Sequence, residues 1–137
     1  MITELYHELS GKKLILTSTG ALKIEFEEKG CNCITYKLLN SRIDDNMFLN
    51  KYTDIQYLFL DECHRVSPTN LWGQSLEKFM NKLNCKILGF TATPNRTDGI
   101  NTIEYWFDNK QVSPMYINDA YKLNYINPIT YVKSYFN

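Results

Sequence analysis

No net charge, no apolar run of membrane-spanning length and no internal repeat mark this sequence. Lysine plus arginine and aspartate plus glutamate stand at 15 each over 137 residues. Bulk electrostatics therefore give no argument for a polyanionic partner, although a local basic face is compatible with a balanced total. The missing long apolar run speaks against a helical membrane span, and no secretory leader is visible. No low-complexity stretch or long linker divides the chain, so residues 1–137 read as one domain. Cysteine is scarce, with four residues at 31, 33, 63 and 85. Cys31-Asn32-Cys33 lacks the two-residue spacing usual for paired zinc thiols. Free thiols in a reducing cytoplasm are the plain reading. What is abundant is aromatic: ten Tyr and seven Phe supply enough apolar mass for a core and argue against disorder.

Apolar patterning divides the chain into short elements. Residues 2–9 read as the end of a helix stopped by Ser10-Gly11. Leu14-Ile15-Leu16 is a buried-strand pattern running into Thr17-Ser18-Thr19-Gly20. Ala21 to Lys29 reads as a helix with Leu22, Ile24 and Phe26 among charges, stopped by Gly30, and Cys33 to Tyr36 as a brief strand. Ile55 to Leu60 is nearly all apolar, the mark of a strand covered on both faces. Trp72, Leu76, Phe79, Met80 and Leu83 fall on one helical face, and Lys86 to Phe90 is a further strand. Strand and helix alternate, which predicts an α/β fold with a doubly wound parallel sheet and helices on both faces. Residues 1–94 form its core and 95–137 its tail. In the tail, Val112 to Ile117 and Ile129 to Val132 read as strands, and Asn118-Asp119-Ala120 as a helix start.

Open parallel sheets bind ligands beyond the carboxyl ends of their strands. The run Tyr57-Leu58-Phe59-Leu60 delivers Asp61 and Glu62 to that place. One carboxylate can hold Mg²⁺, usually through water, because Mg²⁺ prefers oxygen and keeps part of its hydration shell. The other can orient or deprotonate an attacking water. Asp-Glu alone is more often an acidic loop, and a lone His64 is more often structural. One helical crossover later, the next strand ends in Thr91-Ala92-Thr93-Pro94. Taken alone, that is a strand running into a turn with Pro fixing the exit. Its two hydroxyls can also hydrogen-bond the acidic cluster and report nucleotide state to moving parts. The combination, between these two strands, carries the reading.

Leu58-Phe59-Leu60-Asp61-Glu62-Cys63-His64-Arg65-Val66 resembles motif II, the Walker B box, of superfamily 2 helicases of the DEAD/DEAH type. Leu88 to Gly99, through Thr91-Ala92-Thr93-Pro94, resembles their motif III and its continuation. Leu16-Thr17-Ser18-Thr19-Gly20-Ala21-Leu22 is similar to motif Ia, with Ser18 where the family usually has Pro and Gly20 where it usually has Arg. Ile34-Thr35-Tyr36-Lys37-Leu38-Leu39 is similar to the Thr-Tyr segment near motif Ib. Phe107-Asp108-Asn109 and Ala120 to Pro128 resemble the tail of the first motor domain in restriction-enzyme-like members.

The resemblance implies the first RecA-like domain of an ATP-dependent helicase or translocase that couples hydrolysis to movement on nucleic acid, by analogy DNA. It implies that Asp61 coordinates Mg²⁺ on ATP, that Glu62 activates the water and that His64 joins the catalytic pair and couples it to motif III. Thr91 and Thr93 would link hydrolysis to movement, and Thr19 and Thr35 would touch the phosphate backbone of a bound strand. Cys63 stands for the commoner Ala, and no role above uses that side chain. A P-loop needs Gly-x-x-x-x-Gly-Lys-Ser/Thr. Here the one Gly-Lys pair, Gly11-Lys12, is followed by Lys13, and Tyr6 stands where the first Gly belongs.

The expectation is thus a domain truncated before motif Ia, without its P-loop strand, with the second motor domain and its arginine fingers also elsewhere. Mg²⁺ and ATP belong to the parent protein, and this chain alone is expected to bind neither and to turn over no ATP. Its partners are then nucleic acid, the P-loop segment and the second RecA-like domain. An unpaired edge on the Lys86–Phe90 strand and self-association through it are also expected. The alternative is a non-catalytic nucleic-acid- or partner-binding module that kept the fold. A small metal-dependent hydrolase using Asp61, Glu62 and His64 is a third reading, and it needs further ligands from neighbouring strand ends.

Overall fold

Apolar runs of a few residues make the centre of the molecule, and alternation along them decides which helix each residue meets. The computed structural model describes residues 2–67, 69–91, 113–114 and 129–135. In chain order these form α1 (Ile2–Glu8), β1 (Lys13–Thr17), α2 (Gly20–Glu28), β2 (Cys33–Thr35), α3 (Tyr36–Ser41), α4 (Asn46–Leu49) and β3 (Tyr57–Asp61). They continue with α5 (Leu71–Asn81), β4 (Cys85–Thr91), β5 (Ser113–Pro114) and β6 (Ile129–Tyr135). The sheet order is β2-β1-β3-β4-β6-β5. The first four strands are mutually parallel, in register Leu16 with Ile34, Leu16 with Leu60 and Leu60 with Gly89.

Side chains alternate across the sheet, so each central strand feeds two cores. Leu14, Leu16, Leu58, Leu60 and Ile87 face one way and pack with Leu39 of α3 and Leu76 and Phe79 of α5. Ile15, Phe59, Leu88 and Phe90 face the other way and pack with Ile2 and Tyr6 of α1, with Phe26 of α2 against them. Helices therefore cover both faces, which is why β1 and β3 read as continuous apolar runs.

Helix ends follow local chemistry. The hydroxyls of Thr19 and Thr35 and the side-chain oxygens of Asp45 and Asn70 accept backbone N–H groups at the starts of α2, α3, α4 and α5. Gly30 follows α2 with φ +81°, a conformation glycine adopts freely. Gly73 lets α5 press onto the preceding loop, since a Cβ there would fall 1.7 Å from the Ser67 carbonyl oxygen.

Several elements differ from the sequence reading. Tyr36 opens α3 rather than ending a strand, because the Thr35 hydroxyl caps the turn. α3 and α4 were not legible in the apolar pattern. α2 buries no residue fully and leaves Ile24 56% exposed, because residues 22, 24 and 26 do not share one helical face. The expected strand at 112–117 is two residues long among those described, and that at 129–132 runs to Tyr135. The proposed helix start at Asn118-Asp119-Ala120 and the tail segments at 107–109 and 120–128 lie outside the described residues.

The expected open edge on β4 needs correction. β6 lies antiparallel along it from Cys85 against Tyr135 to Thr91 against Ile129. The backbone groups of β4 are thereby paired from within the chain, which removes the reason given for self-association through that edge.

Candidate functional site at the carboxyl ends of the parallel strands

The parallel register brings the chemistry together. Leu16 lies opposite Leu60, so Thr17 and Ser18 come beside Asp61 and Glu62. Thr17 is also opposite Thr35 of β2. The Thr17 hydroxyl donates to Asp61 Oδ2 at 2.8 Å, and the Ser18 hydroxyl donates to Glu62 Oε2 at 2.7 Å. Arg65 Nε lies 2.9 Å from the same Glu62 oxygen. The Tyr36 hydroxyl donates to the Asp61 carbonyl oxygen at 2.8 Å. Asp61 is thus held at its side chain from β1 and at its backbone from α3.

Burial pushes the Asp61 carboxyl above the usual aspartate range; the Thr17 hydrogen bond counters this, and the adjacent Glu62 charge adds to it. Glu62 adopts a left-handed backbone, φ 50° and ψ 51°, which is rare for a residue with a side chain and is held here by Ser18 and Arg65. Tyr36 is fully buried, its ring stacked on Trp72 at 5.9 Å, and burial raises its hydroxyl well above the ordinary tyrosine value. Cys63 is fully buried in the α5-side core, and burial pushes its thiol up to about 12. Its place in the motif is one of packing, with no reactive thiolate. All four cysteines are free and buried.

The sequence placed Asp61 and Glu62 correctly at a strand end, but it looked to Thr91 and Thr93 for their hydroxyl partners. The described partners come from the opposite neighbour, β1. Registering the two apolar runs Leu14–Leu16 and Leu58–Leu60 against each other would have found them. Thr91 ends β4, where its backbone pairs with Ile129, and His64 lies in a 3-10 turn over Cys63–Arg65. Thr93 lies outside the described residues. Thr19 and Thr35 sit at the same end of the sheet, each hydroxyl accepting a helix N–H, from Leu22 at 3.2 Å and Leu38 at 3.0 Å. A hydroxyl that accepts one bond still has its own hydrogen to donate.

The donor set fits Mg²⁺ in kind: a desolvated carboxylate with a hydroxyl beside it, both hard oxygen. Among the described residues, no group of three or more His, Cys, Asp or Glu comes together. The further ligands that a free-standing metal hydrolase needs are not found among the described residues.

The raised Asp61 has a measurable cost. Below the ordinary aspartate value, folded and unfolded chains both carry a protonated Asp61, and nothing is lost. As pH rises past it the unfolded chain ionises first, and the penalty is complete once the folded carboxyl ionises too. Asp61→Asn keeps an oxygen for Thr17 and carries no charge. It is expected to raise the urea midpoint at about pH 7 and to match the wild type at about pH 2, below the carboxylate range. A lower midpoint at neutral pH would show that burial does not dominate at this carboxylate.

Among the described residues no helix is long and apolar enough to cross a membrane. Neither a curated protein nor a solved structure matches the chain. A family model does, that of the Type III restriction enzyme res subunit, over residues 3–96. That stretch contains β1 to β4 and both acidic residues, and the sheet is the partial RecA-like one expected of such a domain. The chain belongs to the Type III restriction enzyme res-subunit family, a DEAD-like helicase N-terminal domain of superfamily 2.

Proposed function

We propose that this chain supplies the metal-binding, water-activating part of a motor domain that couples ATP hydrolysis to movement along DNA. The observation that carries it is the pair Asp61 and Glu62 at the end of β3, each carboxylate held by a hydroxyl from the end of β1. Bound Mg²⁺ would neutralise charge on the ATP phosphates. Asp61, fixed by Thr17, would hold the ion through water, and Glu62 would orient the attacking water and accept its proton. His64, Thr91 and Thr93 would pass the change at the acidic pair to parts that move. Thr19 and Thr35 would donate to phosphates of the strand, which requires no base reading. The four free, buried thiols support a reducing, cytoplasmic setting.

The 137 residues contain no Gly-x-x-x-x-Gly-Lys-Ser/Thr sequence. The phosphates therefore need a loop from outside these residues, and motion needs a second RecA-like domain. Residues 1–137 alone are expected to show no Mg-ATP turnover in titration calorimetry. DNA-stimulated turnover is expected once a P-loop segment is joined ahead of them. Turnover by the 137 residues alone would sink the requirement for that loop. Stimulation by RNA and not by DNA would overturn the choice of substrate.

A further inference from the structure

Two side chains at the site hold the acids without themselves reacting, and each ties one acid to a neighbouring element. Ser18 follows Thr17, precedes the cap residue Thr19 and bonds Glu62 at 2.7 Å. Tyr36 follows the cap residue Thr35 and bonds the Asp61 carbonyl at 2.8 Å. Each proposed strand contact is thus one peptide bond from a hydroxyl that holds one of the two acids.

We propose that Ser18 and Tyr36 are positioning residues that transmit nucleic-acid contact at Thr19 and Thr35 to Glu62 and Asp61. The inference rests on the strand-contact reading given above. Ser18 is the single residue between the end of β1 and the Thr19 cap of α2, with its Cα fixed at about 3.8 Å from that of Thr19, so a shift of Thr19 against the sheet is taken up at Ser18. Glu62 is the residue able to respond. Its left-handed backbone persists only while its surroundings determine it, and Ser18 and Arg65 are what hold its carboxylate. Loosening Ser18 frees Glu62 to re-aim. Tyr36 works as a stiff strut. It is fully buried and stacked on Trp72, so displacement at Thr35 reaches the Asp61 backbone instead of being absorbed by rotamer change. A buried tyrosine hydroxyl needs some acceptor in any fold. Here the acceptor is the carbonyl of the proposed metal-binding residue, and Ser18 makes an independent link of the same kind to its neighbour.

The test is backbone amide NMR on ¹⁵N-labelled residues 1–137 titrated with single-stranded oligothymidylate. In the wild type, Asp61 and Glu62 resonances are expected to shift in step with those of Thr19 and Thr35. Ser18→Ala is expected to abolish the Glu62 shift and Tyr36→Phe the Asp61 shift, with the Thr19 and Thr35 shifts retained. Ser18→Thr, which restores a hydroxyl, should restore the Glu62 response. Ser18 is only half-buried, so that arm stands even where Tyr36→Phe loosens the core. Shifts at Asp61 and Glu62 that survive both variants overturn the proposal alone. So does a wild type in which Thr19 and Thr35 respond while the acids do not. Silence at Thr19 and Thr35 overturns the strand-contact reading and the proposal with it.

Discussion

Glu62→Gln is expected to lower the ATP turnover of a P-loop-completed protein by about 10²–10⁴-fold, the usual contribution of a positioned general base, while Mg-ATP binding persists. The substitution is close to isosteric. The amide oxygen can still accept from Ser18, so the hydrogen bond at 2.7 Å survives in kind. What disappears is the ability to take a proton from water and the charge facing Arg65. That ion pair joins half-exposed groups, so its loss costs little stability, about 0–1 kcal/mol. The fold is therefore expected to stay intact while kcat falls, which separates a lost chemical step from a lost structure. Asp61→Asn is expected to contrast with it, lowering Mg²⁺ affinity under the proposed role while raising stability at neutral pH. Turnover that survived Glu62→Gln would move the base to another residue and leave Glu62 as a water-orienting acceptor.

The legible part of this molecule was whatever sequence-local physics specifies. Leu14–Leu16 and Leu58–Leu60 read as strands because both of their faces are covered, and the structure pairs them in register. Trp72, Leu76 and Phe79 read as a helix because their spacing keeps them on one side, which α5 buries. The position of Asp61 and Glu62 at the carboxyl end of β3 was legible because it follows from where such an apolar strand must end. Illegible features depend on neighbours distant in the chain. Ser18 looked like a departure from a motif until β1 lay beside β3 and put its hydroxyl on Glu62. α3 was hidden because its start is set by one hydrogen bond from Leu38 N–H to the Thr35 hydroxyl rather than by apolar spacing. The pairing of β6 with β4 is set by register over a long sequence separation, which no local pattern encodes.

Phe59→Ala is expected to be the most damaging single substitution in the α1-side core, costing about 3–5 kcal/mol out of a total stability of roughly 5–15 kcal/mol for a domain of this kind. Phe59 has no exposed surface and lies on β3, with β1 and β4 on either side. Its ring stacks on Phe90 at 6.0 Å and lies 5.6 Å from Tyr6 of α1. The cavity left by truncation is bordered by a neighbouring strand and a helix, neither of which can move inward without breaking its own contacts. Little relaxation is available, which puts the cost in the upper part of the range for such changes. Phe59→Leu retains most of the volume and should cost markedly less. Urea denaturation followed by circular dichroism measures both. The comparison also tests the docking of α1, because Tyr6 and Ile2 are its buried contribution to this face, beside Phe26 of α2. If Phe59→Ala cost under about 1 kcal/mol, far below the usual loss for a buried aromatic, α1 would not seal the sheet in solution. The α1-side core would then have to be completed by a surface from outside these residues.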